Sequence, residues 1–190
     1  HFGDFPAFVI PPNPIVSLFE FPAFALLGVV SAVMAIVLMH SISVGQDISD
    51  KMNDKLSLPR WAHPMLGGAM VGLIAIAFPE VLGVGYGTTD AALKGHIALP
   101  LLLALLAAKT AAVAISLGSG FGGGVFSPSL FLGAMLGGAF GIIATQAFPE
   151  MSSGHGAYTM IGMAAVAGAV LGAPISTILI IFELTHDNSV

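Results

Sequence analysis

Gly118-Ser119-Gly120-Phe121-Gly122-Gly123-Gly124-Val125-Phe126-Ser127-Pro128 interrupts an apolar run from Ile97 to Phe148 whose only charge is Lys109. A helix crosses the ~30 Å of bilayer hydrocarbon with about 20 apolar residues, so this run is too long for one span. It divides at the glycines into a span near 99–117 and another near 126–147. The surrounding sequence has the same character. Between Glu20 and Asp47 there is no Asp, Glu, Lys or Arg, which predicts a span near 21–45. Another, near 61–78, opens on Arg60-Trp61, a pair suited to the interface, and stops before Pro79. The last apolar run breaks at Gly172-Ala173-Pro174 into helices near 158–172 and 174–185, and a short helix fits near 88–96.

Composition points the same way. Of 190 residues, ten are acidic and five basic; 56% are hydrophobic and only 8% charged, against roughly 25% charged in soluble domains. Such a chain cannot cover a soluble fold with charge, which excludes most soluble enzymes and nucleic-acid binders. The fold class is all-α and integral to the membrane, multi-pass. There is no cysteine, hence no disulfide frame or thiolate site. The six histidines show no metal spacing such as HExxH, so neither metal nor cofactor is expected. Lys51, Lys55 and Arg60 place residues 47–60 on the cytoplasmic side by the positive-inside rule. The chain opens at His1 without an initiator Met and stops at Val190 directly after an apolar run; it reads as an interior piece of a longer protein.

Unwound backbone at membrane depth is tolerated where it is buried in protein or lines a cavity. Glycines allow tight turns and close approach of a ligand. Ser127 and Pro128 suit the first turn of the following helix, whose start frees the N–H groups of Val125 and Phe126 at the positive end of the helix dipole. That makes an anion site without a cationic side chain. A plain hinge between packed helices fits the same residues. Pairs of glycines four apart (68/72, 133/137, 137/141 and 168/172) suit close helix packing. Lys109 reads either as a cavity-facing cation or as a snorkelling or ion-paired lysine. Glu183 reads as an interfacial carboxylate or a proton relay. Val84-Gly85-Tyr86-Gly87 looks like part of a potassium filter, but the segment after it is not a long apolar helix.

The run 118–130, continued by Gly133-Ala134-Met135-Leu136-Gly137-Gly138, resembles the CLC family of chloride channels and proton-coupled chloride antiporters. Gly124, Phe126 and Pro128 match that family's GxFxP anion motif. Leu82-Gly83-Val84-Gly85-Tyr86-Gly87, Gly172-Ala173-Pro174-Ile175-Ser176 and Phe182-Glu183-Leu184-Thr185 agree with it too. The resemblance implies a CLC-like bundle of tilted and broken helices, with this chain supplying most of the second inverted repeat, incompletely. It implies chloride transport rather than enzymatic catalysis, as a voltage-gated-type channel or an H+/Cl− antiporter. The chloride site would comprise Gly124, Val125, Phe126, Ser127 and Pro128, supported by Gly118, Ser119, Gly120, Gly122 and Gly123.

It further implies a homodimer in a lipid bilayer, in a prokaryotic plasma membrane, with chloride and similar anions as partners and no nucleic acid. The family's GSGxP and GxExP motifs do not occur here, and Tyr86 and Tyr158 do not stand where its chloride-coordinating tyrosine is expected. The chain alone is therefore not expected to form a working pore. Another secondary transporter with broken helices is the alternative, and an intramembrane enzyme a more distant one.

Overall fold

A computed structural model describes residues 20–56, 62–147 and 154–185. The described residues are helical, with no strand among them. The helices are α1 (Phe21–Leu56), α2 (Ala62–Ala77), α3 (Tyr86–Leu93), α4 (Leu99–Gly118), α5 (Phe126–Ala147), α6 (His155–Leu171) and α7 (Pro174–Thr185). A 3-10 turn, Pro79–Val81, links α2 toward α3.

Several boundaries differ from the sequence reading, each for a local reason. α1 runs on to Leu56, so residues 47–56 continue the helix where a loop was expected. Nothing between Gln46 and Leu56 is Gly or Pro, and Asp, Lys, Met and Leu all tolerate a helix that has left the hydrocarbon. Residues 57–61, the remainder of that expected loop, lie outside the described residues. α2 has only 16 residues and ends at Ala77, with Phe78 held out of the helix at φ −135° and ψ 79° before Pro79, because proline disfavours a helical residue ahead of it. α3 ends before 96: Gly95 adopts φ +69°, with its N–H donating to Ala92 O and that of His96 to Ala91 O. That is a Schellman cap, which glycine forms without Cβ strain. α6 begins at His155, ahead of the expected 158, after Gly154 at φ +87°.

α5 and α6 form the closest seam. A Cβ built on Gly133 would stand 2.5 Å from Gly162 O, and one on Gly162 2.5 Å from Gly133 O. A Cβ on Gly137 would overlap Tyr158 O, and one on Gly141 would be 3.1 Å from Tyr158 Cβ. α1 crosses α4 in the same manner, with Gly118 against the Gly45 backbone. Small residues let backbones meet where lipid gives no hydrophobic drive to associate. Gly68/Gly72 and Gly168/Gly172 are not of this kind: Gly72 faces open space, and Gly172 caps α6 at φ +65°.

Phe131, Met135, Leu102, Leu105 and Met163 fill the core among α3 to α6, and Leu38, Ile42, Val113 and Leu132 join α1 to it. Outside, apolar side chains stand bare: Ile76 is 81% exposed, Ile175 75% and Ile36 68%. Among the described residues, three helices are long and apolar enough to cross a membrane: Phe21–Met52, Leu99–Gly118 and Phe126–Gln146. Bare apolar side chains on such helices suit lipid rather than water. The chain is an all-α integral membrane protein.

Candidate functional site

The glycine break falls between α4 and α5, and its two halves do different work. The first half stops α4. Gly120 takes φ +84°; its N–H donates to Leu117 O at 3.2 Å, and the N–H of Phe121 donates to Ser116 O at 3.1 Å. This is again a Schellman cap. Gly118 is buried in the last turn of α4, against α1, and Ser119 Oγ donates to Ile115 O at 2.6 Å. Neither faces the cavity described below.

The second half is open. Built on Gly122 or Gly124, a Cβ would meet nothing within 4 Å. Gly122, Gly123, Gly124 and Pro128 line a cavity of about 230 Å³, bordered on other sides by Val81 to Gly83 and by Lys109, Ala112, Val113, Ser116 and Leu117 of α4. α5 starts here. The N–H of Ser129 donates to Val125 O at 3.0 Å, making Val125 the residue before the first turn. Pro128 has no N–H to leave unpaired. The backbone N–H groups of Val125, Phe126 and Ser127 have no acceptor among the described residues. They sit at the positive end of a 22-residue helix with no acid in its first turn, where an anion is favoured.

Two residues contribute that the motif alone does not reveal. Buried Ser129 donates its hydroxyl to Val125 O at 2.6 Å, a second bond on the carbonyl that already accepts from the Ser129 N–H. This fixes the Val125 peptide. Lys109 is 5% exposed, buried rather than snorkelling, and makes no ion pair among the described residues. Its Nζ donates to Val81 O at 2.7 Å and Gly83 O at 2.8 Å, and lies 5.0 Å from the Phe131 ring centroid. The amino group thus borders the cavity as a strong hydrogen-bond donor anchored on two carbonyls. A charge inside an apolar run was the available signal; its carbonyl partners, 26 and 28 residues earlier, were not visible in sequence.

The remaining features named in sequence lie elsewhere. Gly85, at φ +79°, starts α3, so the 84–87 segment is a helix entrance rather than an extended filter strand. Tyr158 is buried between Phe24 and Phe140, and its hydroxyl donates to Glu20 Oε1 at 3.1 Å. Tyr86 is exposed. Glu183 belongs to the last turn of α7, and its side chain lies outside the described residues. No group of three or more His, Cys, Asp or Glu suited to a metal ion occurs among the described residues.

Known proteins are similar to this sequence. Chloride channel protein CLC-e of Arabidopsis thaliana is 34% identical over 97% of the chain. The H(+)/Cl(-) exchange transporter ClcA of Vibrio cholerae is 33% identical over 86%, and a putative chloride channel protein ClcB-like of Ralstonia nicotianae 38% over 70%. The chain spans about a third or less of each of these relatives: 28%, 35% and 31% of their lengths. The family model described as voltage gated chloride channel matches residues 1–190. With that match over its whole length, the chain belongs to the voltage-gated chloride channel family.

Proposed function

We propose that this chain forms part of a chloride pathway, and that the anion is held by the backbone N–H groups of Val125 and Phe126. Gly124, Ser127 and Pro128 shape the approach, while Gly118, Ser119, Gly120, Gly122 and Gly123 end α4 and open the space in front. The observation that carries this reading is the set of N–H groups without acceptors at the start of α5, on the open side of the break and beside the cavity that Lys109 borders. Partial charges attract an anion yet release it, as conduction requires.

The relatives' names include both a channel and an H(+)/Cl(-) exchanger, and the proposal covers passive and proton-coupled movement. The full-length protein would act as a homodimer, with residues 47–60 on the cytoplasmic side of a prokaryotic plasma membrane. Chloride efflux from liposomes holding the full-length protein tests the reading, with pH recorded in parallel to separate the two modes. Efflux that bromide competes for supports it. Absence of halide flux through folded protein contradicts it.

A further inference from the structure

A helix start is usually fastened by an N-cap side chain whose oxygen takes up N–H groups of the first turn. In α5 that position belongs to Val125, and valine brings no oxygen. The N–H groups ahead of α5 are left clear, so the start is held from its carbonyl side instead.

Ser129 does the holding. It is 0% exposed, and its hydroxyl and its N–H both donate to Val125 O, at 2.6 and 3.0 Å. That oxygen belongs to the same planar peptide as the Phe126 N–H. Two donors on the carbonyl fix the plane, and with it the direction in which the N–H points. They also draw electron density toward the oxygen. The N–H becomes a stronger donor, because hydrogen bonds in a chain polarise one another.

A hydroxyl bonded to the carbonyl four residues earlier is ordinary in helices; Thr110 makes such a bond to Leu106 O at 2.7 Å. What sets Ser129 apart is the peptide it reaches, and the start of α7 supplies the comparison. Thr177, also 0% exposed, donates its hydroxyl to Ala173 O at 2.9 Å and its N–H to the same oxygen at 3.0 Å. The peptide held there joins Ala173 to Pro174, and proline has no N–H. The same pair of bonds aims a donor at α5 and aims none at α7.

We propose that Ser129 is a positioning residue of the anion site, orienting and polarising the Phe126 N–H through the Val125 carbonyl. It does not touch the anion: its side chain is buried and its hydroxyl proton is committed to Val125 O. The link to the anion rests on the function proposed above, whereas the effect on the peptide does not.

The test compares full-length wild type with Ser129→Ala and with Thr177→Val, which deletes the matching hydroxyl at α7. Chloride affinity is read by isothermal titration and stability by thermal unfolding without chloride. Ser129→Ala is expected to weaken chloride binding about 5-fold, the size of one lost hydrogen bond. Thr177→Val is expected to lower the melting temperature by a similar amount to Ser129→Ala and to leave the affinity unchanged. Unchanged affinity in Ser129→Ala, or equal losses of affinity in both variants, overturns the positioning role. In chloride-free protein carrying carbonyl-labelled valine and nitrogen-labelled phenylalanine, the Phe126 amide proton resonance should move upfield in Ser129→Ala and stay in place in Thr177→Val. An unmoved resonance in Ser129→Ala overturns the polarisation. If wild type itself binds no chloride, the proposed function fails, and the amide resonance still decides what Ser129 does to the peptide. Should Ser129→Ala not fold, Ser129→Cys, of similar volume but a weak donor, takes its place with the same outcomes.

Discussion

The glycines of the α5–α6 seam and those of the break after α4 are chemically the same residue under opposite conditions. At 133, 137 and 162 a single methyl would strike backbone of the facing helix. At 120, 122 and 124 it would meet nothing within 4 Å. The first set removes side chains so that two helices can touch. The second removes them where no protein atom comes to fill the space. Room left empty at a helix start, beside N–H groups without acceptors, is room for a ligand. The comparison teaches that glycine content in a membrane chain has no single meaning, and that the facing surface decides it.

The largest effect is expected in the seam. Gly137→Leu drives a side chain into the Tyr158 backbone, which cannot move without shifting α6. Overpacking of this kind costs ~1–3 kcal/mol and sometimes more. The expected outcome is loss of monodisperse full-length protein on size-exclusion chromatography. Normal yield would show that the seam is looser than described.

Lys109→Met comes next, since it joins the two regions: its Nζ holds the 81–83 turn while bordering the break's cavity. Removing it strands two carbonyls, at about 1–3 kcal/mol for each that stays buried and unpaired. Both the melting temperature and chloride affinity should fall, and Lys109→Arg should restore part of each. A loss of affinity alone would limit Lys109 to charge.

Gly124→Val should separate the regions most clearly. There is space for the side chain, so folding should be little changed. Obstructing the approach to the anion should weaken chloride binding about 10-fold, or ~1.4 kcal/mol. Isothermal titration with chloride reads the affinity, and equal losses of affinity and folding would make the break a hinge. The smallest effect is that of Tyr158→Phe in the seam. It removes one hydrogen bond to Glu20, for about 1 kcal/mol. Thermal unfolding should register it, with chloride binding unchanged.

Much of this architecture could be read from the chain. The absence of charge between Glu20 and Asp47, and the glycine break inside residues 97–148, located helices by composition and length alone. Local breakers such as Pro79 and Gly172 marked their ends. The continuation of α1 to Leu56 is not legible in hydropathy, because charge ends the membrane part of a helix and not the helix itself. Within the break, the motif pointed to residues 124–128 but not to its division of labour. That Gly118 packs on Gly45 and Ser119 on Gly67 depends on which helices cross there, and no spacing along the sequence encodes it. Ser129 and the carbonyl partners of Lys109 were hidden for the same reason.

The central claim is that peptide N–H groups, not a side chain, bind the anion. Crystals of the full-length protein grown with bromide in place of chloride address it through the anomalous signal of bromide. A peak within ~3.5 Å of the Val125 and Phe126 nitrogens, weakened in Gly124→Val, is the predicted result. Bromide bound at Lys109 with none at those nitrogens would contradict it.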